Sequence, residues 1–313
     1  MTDMKKNKVI VILGPTASGK TGLGIQLAKD LNGEIISGDS MQVYRGMDIG
    51  TAKPDEAERQ GIPHHLIDIL DITEKFSVAT FCGLATKAVE DICLRGKTPI
   101  IVGGTGMYIE TLTSGRLYET ETADEEKRRE YERFAAENGA LALHARLAEI
   151  DPASAEKIHP NNIKRVIRAI EIAETGESTK SELEKGSTVE KPFESLMLYL
   201  TPEDRETMYS RINRRVDIMM GAGLLDEVIR LDKAGLRDTP TASQAIGYKE
   251  FFPYIDGASS LEECVEKLKQ HTRNYAKRQT TYFGHMTELV SVRAGNECGN
   301  TAKRICEQWL KTL

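Results

Sequence analysis

A glycine-rich loop near the amino terminus carries the residues best suited to chemistry. Residues 14–21 read GPTASGKT and match the pattern GxxxxGK[ST]. In this pattern backbone N–H groups converge on phosphate oxygens, Lys20 supplies a positive charge, and the Thr21 hydroxyl can coordinate Mg²⁺. The predicted phosphate-binding residues are Gly14, Pro15, Thr16, Ala17, Ser18, Gly19, Lys20 and Thr21. The loop indicates a diphosphate or triphosphate ligand, and it admits kinases, GTPases and transferases alike.

Two further polar loops follow short apolar segments. Asp39 comes soon after Ile35 and Ile36, and a carboxylate there can hold magnesium or accept the proton of an attacking nucleophile. It can also cap the segment that follows. Thr105 lies in the sequence GGTG at residues 103–106, where glycines let the backbone approach a ligand closely. This last loop is a weak signal by itself, because an ordinary turn explains it as well.

Alternating strands and helices must position these loops. The apolar patterns predict strands at residues 9–13, 35–36, 99–102 and 195–200, and helices at residues 21–31, 78–94 and 203–220. Strands that alternate with helices form a parallel sheet, and such sheets bind ligands beyond the carboxyl ends of their strands. We therefore expect an α/β fold with a P-loop NTPase-like core, in which helices flank a parallel sheet and the three polar loops share one rim.

The composition changes after Gly115. From there to about Lys191 the chain is rich in Glu, Lys, Arg and Ala, which predicts helices joined by polar turns. Residues 175–191 are polar enough to form a loop. The expected organisation is a catalytic core of residues 1–115 and 196–313, interrupted by an all-helical insertion of residues 116–195.

Composition excludes several classes of protein. Apolar runs end after a handful of residues, far short of the roughly 20 needed to span a bilayer, so no membrane segment is expected. The run that follows the polar residues 1–8 ends in Gly14 and Pro15 without a cleavage site, which favours the cytoplasm. The five scattered cysteines suggest neither disulfides nor a zinc site. A net charge of -6 argues against nucleic acid as a partner, although a local basic surface can coexist with it.

Two predicted helices carry basic faces. In the first, Lys164, Arg165 and Arg168 lie opposite an apolar stripe. In the second, Arg273 and Lys277 project one turn apart beside another apolar stripe. Charged helix faces are usually no more than solvated surface. Taken alone, neither face therefore establishes a binding site.

Several motifs together resemble the tRNA dimethylallyltransferase family, also called tRNA isopentenyltransferases. The resemblance is carried by GPTASGKT at 14–21, DSMQVY at 39–44, GMDIGTAKP at 46–54 and GGTGMY at 103–108. It continues through PHHL at 63–66, residues 162–171 and 211–225, QAIGY at 244–248 and YAKRQ at 275–279. Nearly the whole chain is covered, which no single short motif would achieve.

The resemblance implies a specific reaction. The phosphate loop would hold dimethylallyl diphosphate, with Mg²⁺ at Thr21, and the dimethylallyl group would pass to the exocyclic N6 amine of the adenosine next to the anticodon, position 37 of tRNA. This adenine would be flipped out of its stack to reach the site. Asp39 would accept the amine proton and Thr105 would orient the base. The implied catalytic residues are therefore Asp39, Thr21, Thr105 and one arginine.

That arginine is expected on the helix at residues 203–220. Arg211 and Arg215 lie one turn apart there, and either could stabilise the charge that grows on the departing diphosphate. We prefer Arg211. The alternative is that both arginines merely extend along the rim of a packed helix.

The resemblance also implies a tRNA-contacting surface. We further expect a monomer and no membrane partner. The residues expected to contact the anticodon stem-loop are Asp39, Ser40, Met41, Gln42, Thr105, Lys164, Arg165, Val166, Ile167, Arg168, Gln244, Gly247, Tyr248, Lys249, Lys277, Arg278 and Gln279. Family members often carry tryptophan and arginine near the positions of Tyr282 and Gly284. Tyr282 can still stack on a base, whereas Gly284 brings no charge.

Two other functions compete with this interpretation. A small-molecule kinase of the phosphate-loop class would bind ATP at residues 14–21 and transfer its terminal phosphoryl group. A non-catalytic, nucleotide-dependent RNA-binding module would keep its RNA affinity after loss of Asp39. The kinase explains the phosphate loop but leaves the other motifs and the basic helices without a purpose. His64 and His65 are adjacent, which makes a metal pair improbable on an extended segment, and we expect them to be structural.

Overall fold

A parallel β-sheet forms the centre of the larger part of the molecule. The computed structural model describes residues 6–115, 125–174 and 191–312. Within these residues the sheet has six strands in the order β3-β2-β4-β1-β5-β6, and every neighbouring pair is parallel. The strands are β1 (Lys8–Leu13), β2 (Gly33–Ser37), β3 (His64–His65), β4 (Thr98–Gly103), β5 (Glu194–Thr201) and β6 (Leu289–Arg293). The expected parallel α/β sheet is confirmed, and β3 and β6 extend it at the two edges.

The central strand β1 is buried on both faces, as a strand covered by helices must be. Val9, Val11 and Leu13 pack with one apolar cluster, and Ile10 and Ile12 pack with the other. The register pairs Ile10 with Ile100 of β4 and with Leu196 of β5. Pairing with β4 and β5 therefore fixes the position in the sheet at which β1 ends and the phosphate loop begins.

Helices cover both faces of the sheet in the described part of the chain. Before the insertion come α1 (Lys20–Asp30), α2 (Glu56–Arg59), α3 (Val78–Leu94) and α4 (Gly106–Ser114). The inserted helices are α5 (Glu125–Asn138), α6 (Ala140–Ile150), α7 (Pro152–Lys157) and α8 (Ile163–Glu174). After it come α9 (Arg205–Gly221), α10 (Leu224–Lys233), α11 (Phe252–Ile255), α12 (Leu261–Phe283) and α13 (Cys298–Leu310).

The chain divides into two compact units, residues 1–114 with 191–313 and residues 115–190. Strand β5 begins at Glu194, so residues 191–195, which the sequence assigned to the insertion, belong to the sheet-containing unit. The polar loop expected at residues 175–191 lies outside the described residues except for Lys191. Among the residues that are described, no helix is long and apolar enough to cross a membrane.

The helical unit has an apolar core of its own. Val166, Ile167 and Ile170 of α8 pack against Leu143 and Leu147 of α6. The Arg128 guanidinium donates hydrogen bonds to both carboxylate oxygens of Glu171, at 2.8 Å each. The amphipathic pattern of α8 is thereby confirmed, because its apolar residues face this core while Lys164 and Arg165 are exposed.

Candidate active site

The phosphate loop joins the end of β1 to the start of α1. Ala17 and Gly19 both have positive φ, 61° and 94°, and such alternation turns successive backbone N–H groups toward one concave surface that suits an anion. Gly19 tolerates this conformation because it has no Cβ. The Lys20 ammonium donates to the Pro15 carbonyl at 2.7 Å. The loop therefore has the local geometry of an anion-binding site at the amino terminus of a helix. We call this site, formed by residues 14–21, the anion cradle.

A cavity of about 260 Å³ lies in front of this loop, within the sheet-containing unit. Three of the predicted phosphate-binding residues, Thr16, Lys20 and Thr21, line it. Ser18 and Gly19 line a neighbouring cleft instead. Gly14 and Pro15, the first two residues of the loop, are buried. Ala17 packs against a small apolar cluster formed by residues of α9 and α12.

The surroundings of Lys20 favour the binding of an anion. Burial and the charge of Arg215 lower the pKa of Lys20 from 10.5 to about 7, while the charge of Asp39 opposes this shift. Burial also lowers the pKa of Arg215. Two cations held this close, with their solvation reduced, gain more from a bound anion than they would in water. The cavity is thus suited to a phosphate or diphosphate group.

Arg215, and not the preferred Arg211, lines this cavity. Arg211 lies one turn earlier on α9, where its guanidinium donates to Glu203 at 2.7 Å and borders the cleft beside Ser18 and Gly19. A helix advances about 5.4 Å per turn, so residues on almost the same face can reach different cavities. Arg215 thus shares a cavity with Lys20, whereas Arg211 borders a cleft lined by Ser18 and Gly19 of the same loop, and the preference for Arg211 stays a prediction.

Asp39 lines the same cavity as Lys20. Its carboxylate accepts a hydrogen bond from the backbone N–H of Met41 at 2.8 Å, which forms a local turn rather than a helix cap. Burial raises the pKa of Asp39, against the opposing effects of the Met41 and Gln42 N–H groups and the Lys20 charge. A raised pKa makes a carboxylate a better proton acceptor. The position and environment of Asp39 both fit a general base.

The Asp39 loop and the phosphate loop follow strands that are not neighbours in the sheet. Strand β4 lies between β1 and β2, so the Thr105 loop stands between the other two. The Thr105 hydroxyl accepts a hydrogen bond from the backbone N–H of Ser40 at 3.3 Å. Gly103 and Gly104 line the cavity, whereas Thr105 is not among its lining residues. In this arrangement Thr105 supports the segment that carries Asp39.

The remaining residues of the Asp39 loop shape the cavity wall. Ser40, Met41 and Gln42 all line it. The Gln42 amide accepts from the Ser37 hydroxyl at 2.9 Å and donates to the carbonyls of Thr51 and Ala52, at 3.3 Å each. Because both ends of this amide have protein partners, Gln42 fixes the loop geometry.

Several residues predicted to contact RNA are exposed and available to do so. In the helical unit these are Lys164 and Arg165, and in the sheet-containing unit they are Gln244, Lys249, Lys277 and Arg278. Arg168 is half-buried and its guanidinium donates to Glu171 at 3.3 Å. Arg168 therefore also serves the structure of α8.

Other residues predicted to contact RNA are buried. For Val166, Ile167 and Tyr248 burial excludes a side-chain contact with RNA, whereas Gly247 and Gln279 line the cavity and their contact stays a prediction. Val166 is 0% exposed and Ile167 is 2% exposed in the core of the helical unit, so their side chains cannot reach RNA. Tyr248 is 0% exposed, and its hydroxyl donates to Glu227 at 2.7 Å. Gly247 is buried and lines the cavity, while its N–H donates to Glu250. Gln279 is only 6% exposed.

Glu227 explains why Tyr248 is buried. Its carboxylate accepts hydrogen bonds from the backbone N–H groups of Asp48, Ile49 and Gly50, at 2.9–3.1 Å, as well as from Tyr248. A Cβ at Gly50 would collide with the Tyr248 ring, so the glycine is required for this close approach. This network holds the segment of residues 48–52, part of which lines the cavity.

Tyr275 and His64 line the cavity but were not among the predicted site residues, and Gln279 was predicted as an RNA contact, without its hydrogen bonds to Thr16 and Gly104. Burial is the main cause that raises the pKa of Tyr275, and the nearby side chains of Thr105 and Gln279 oppose this shift. His64 Nδ1 contacts the Ile62 carbonyl at 2.8 Å, while His65 Nε2 contacts Glu34 at 2.7 Å. A one-turn periodicity through Leu268, Thr272, Tyr275 and Gln279 of α12 was the signal that could have identified this lining face.

The described residues contain no cluster of three or more His, Cys, Asp or Glu side chains able to hold a metal ion. A metal bound with a diphosphate needs less protein, because phosphate oxygens and water supply most of its ligands. The Thr21 hydroxyl, on the first turn of α1 and in the cavity lining, fits such a site.

Comparison with known proteins identifies relatives across most of the chain. The family model described as IPP transferase matches residues 42–286. The tRNA dimethylallyltransferase of Bacillus subtilis is 51% identical over 286 residues, covering 91% of this chain and 90% of the relative. That of an Exiguobacterium species is 51% identical over 296 residues, covering 94% and 93%.

Solved structures agree with these sequence relatives. The crystal structure of a tRNA isopentenylpyrophosphate transferase from Bacillus halodurans is similar with a TM-score of 0.71 and 45% identity, covering 97% of this chain and 96% of that one. A eukaryotic dimethylallyltransferase, described as acting on tRNA, is similar with a TM-score of 0.82 and 33% identity, covering 97% and 79%. Both similarities therefore extend over nearly the whole of this chain.

Proposed function

This chain belongs to the tRNA dimethylallyltransferase (IPP transferase) family, and we propose that it transfers a dimethylallyl group from dimethylallyl diphosphate to the N6 amine of adenosine 37 in tRNA. Diphosphate is the second product. The observation that carries the proposal is that Lys20, Arg215 and Asp39 line one cavity. Anion-binding groups and a proton acceptor are thereby held within reach of the same small substrate.

At the donor end, the phosphate loop and Arg215 would bind the diphosphate. As the bond between the allylic carbon and oxygen breaks, negative charge grows on the leaving oxygens. Lys20, Arg215 and the N–H groups of the loop stabilise that charge, and they do so more strongly in the departing group than in the bound donor. Mg²⁺ held at the Thr21 hydroxyl would supply further charge neutralisation when bound.

At the acceptor end, Asp39 would receive the proton of the adenine amine. This amine is a weak nucleophile because its lone pair is delocalised into the ring. Removing its proton as the carbon–nitrogen bond forms avoids a cationic product. The adenine must leave its stack to enter the cavity, which costs least in a single-stranded loop. Thr105 would act by supporting Ser40 beside Asp39.

The exposed cations would bind the phosphate backbone of the anticodon stem-loop. Lys164 and Arg165 would do so from the helical unit, and Lys277 and Arg278 from α12. Of the two positions where family members often differ, Tyr282 is half-buried and its hydroxyl donates to Glu110, while Gly284 is exposed and uncharged. We also propose a monomer that works in the cytoplasm, where tRNA substrates are found.

The phosphate-loop motif by itself would also fit a kinase. The relatives do not favour a kinase function. The test incubates the protein and magnesium with anticodon stem-loop RNA and either labelled dimethylallyl diphosphate or γ-labelled ATP. The proposal expects label on RNA from the prenyl donor and none from ATP. Phosphoryl transfer from ATP, or RNA binding without any transfer, would refute it.

A further inference from the structure

Gln279 of α12 makes contacts that an RNA-binding residue would not need. Its side chain is 6% exposed, although its neighbours Lys277 and Arg278 are exposed. The amide oxygen accepts the backbone N–H of Thr16 at 2.8 Å, and the amide nitrogen donates to the Gly104 carbonyl at 2.9 Å. One side chain therefore ties two loops to one helix.

These two loops belong to different ends of the proposed reaction. Thr16 immediately precedes Ala17, whose positive φ starts the anion cradle. Gly104 immediately precedes Thr105, whose hydroxyl supports Ser40 next to Asp39. The absence of a side chain at Gly104 is required, because a Cβ there would overlap the Gln279 amide. The amide therefore sits where it can set the distance between the cradle and the base.

Tyr275 reinforces this connection from the preceding turn of α12. It lines the cavity, and the side chains of Thr105 and Gln279 lie close enough to its phenol to lower its pKa against the larger effect of burial. Residues four apart on a helix lie on one face, so Tyr275 and Gln279 present a continuous polar edge to the two loops. The opposite, exposed side of this part of α12 carries Lys277.

We propose that Gln279 is a positioning residue that holds the phosphate loop and the Thr105 loop in register for transfer. It acts through Thr16 and Gly104, whose backbone groups bond to the two ends of its amide. The inference rests on the proposed function for its catalytic consequence, but its effect on the anion cradle can be measured by itself. Loss of the amide should weaken diphosphate binding and slow transfer while RNA affinity is unchanged.

The experiment compares Gln279→Leu, Gln279→Glu and the matched control Lys277→Ala with the unaltered protein. Binding of inorganic pyrophosphate with magnesium is measured by calorimetry, binding of stem-loop RNA by fluorescence anisotropy, and transfer by single-turnover kinetics. Gln279→Leu removes the partner of the partly buried Thr16 N–H and of the buried Gly104 carbonyl, so we expect pyrophosphate affinity to fall by about tenfold. Lys277→Ala should instead weaken RNA binding and leave pyrophosphate affinity unchanged.

Gln279→Glu adds a readout that a general loss of stability would not produce. An ionised carboxylate still accepts from Thr16 but repels the Gly104 carbonyl. A protonated carboxyl can donate to that carbonyl and so replaces the amide. Because burial raises the pKa of a carboxyl, pyrophosphate affinity relative to the unaltered protein should recover as the pH is lowered to about 5.5.

The outcomes separate the possibilities. Recovery of Gln279→Glu at low pH supports the proposal even if Gln279→Leu fails to fold. Unchanged pyrophosphate affinity in folded Gln279→Leu, or equally poor affinity of Gln279→Glu at all pH values, would overturn it. If a Gln279 variant loses as much RNA affinity as Lys277→Ala does, Gln279 contacts RNA directly, as the sequence predicted. If the unaltered protein binds pyrophosphate but transfers no prenyl group, the proposed function fails while the role of Gln279 is still decided.

Discussion

The low pKa of Lys20 predicts that donor binding takes up a proton. In the free protein this pKa is about 7, so close to half of the Lys20 side chains are neutral at that pH. A bound diphosphate brings negative charge next to the amine and raises its pKa. Binding above pH 7 therefore requires protonation of Lys20 first, and affinity should fall by about tenfold per pH unit until the pKa of the complex is reached.

The sign of this effect distinguishes it from titration of the ligand. Diphosphates gain negative charge as the pH rises, which by itself would strengthen binding to a cationic site. Affinity that weakens between about pH 7 and about pH 9 must then come from the protein. Calorimetry of pyrophosphate binding near pH 8, repeated in buffers of different ionisation enthalpy, should show that the protein takes up protons on binding, after the protons released by the pyrophosphate itself are accounted for.

Arg215→Leu provides the internal test, because the charge of Arg215 is the second cause of the low Lys20 pKa. The variant should bind pyrophosphate more weakly, yet its affinity should begin to fall at a higher pH than that of the unaltered protein. Arg211→Leu, one turn away and paired with Glu203, should leave the profile where it is. An unchanged midpoint in Arg215→Leu, or affinity independent of pH in the unaltered protein, would refute this account of the cradle.

The remaining predictions concern the base, the RNA surface and the loop network. Asp39→Asn should lower the transfer rate by about 10²–10⁴-fold with RNA affinity intact, and normal turnover in a rapid-quench assay would remove Asp39 from the mechanism. Arg165→Ala should weaken stem-loop binding and reduce the slope of log affinity against log salt by about one; an identical slope in both proteins would contradict a phosphate contact. Glu227→Gln should lower the free energy of unfolding in urea by about 1–3 kcal/mol, because it disturbs the acceptor of three backbone N–H groups and Tyr248. Its exposed neighbour provides the control Asp226→Asn, and equal stability of the two variants would show that the network contributes nothing.

Most strands and helices of the fold could be predicted from the sequence, because short stretches of consecutive residues define them. The apolar segments of β1 and β4 and the phosphate loop between β1 and α1 are defined by consecutive residues. The order of the strands was not accessible, since no local pattern tells which strands become neighbours. The edge strand β3 contains two histidines and offers no apolar alternation to detect.

Site residues could be predicted from the sequence where a motif fixes the backbone. They could not be predicted where the packing of distant elements decides which side chains line the cavity. Lys20 begins α1 after the phosphate loop that follows β1, and Asp39 follows β2, so the parallel sheet brings both residues to one rim. Arg211 and Arg215 have the same residue type on the same helix, and their difference arises from how α9 packs against α12 and the phosphate loop. Tyr248 and Gln279 look like surface polar residues in the sequence, but distant partners, Glu227 and Thr16, bury them.

The central claim is that one cavity joins the donor and the proton acceptor, so that prenyl transfer occurs at the adenine amine. The most direct measurement is a single-turnover reaction with stem-loop RNA and dimethylallyl diphosphate, followed by nuclease digestion and mass spectrometry. The account predicts one N6-dimethylallyladenosine at position 37 for each diphosphate released. A prenyl group on another atom or residue, or diphosphate release without modified RNA, would contradict it.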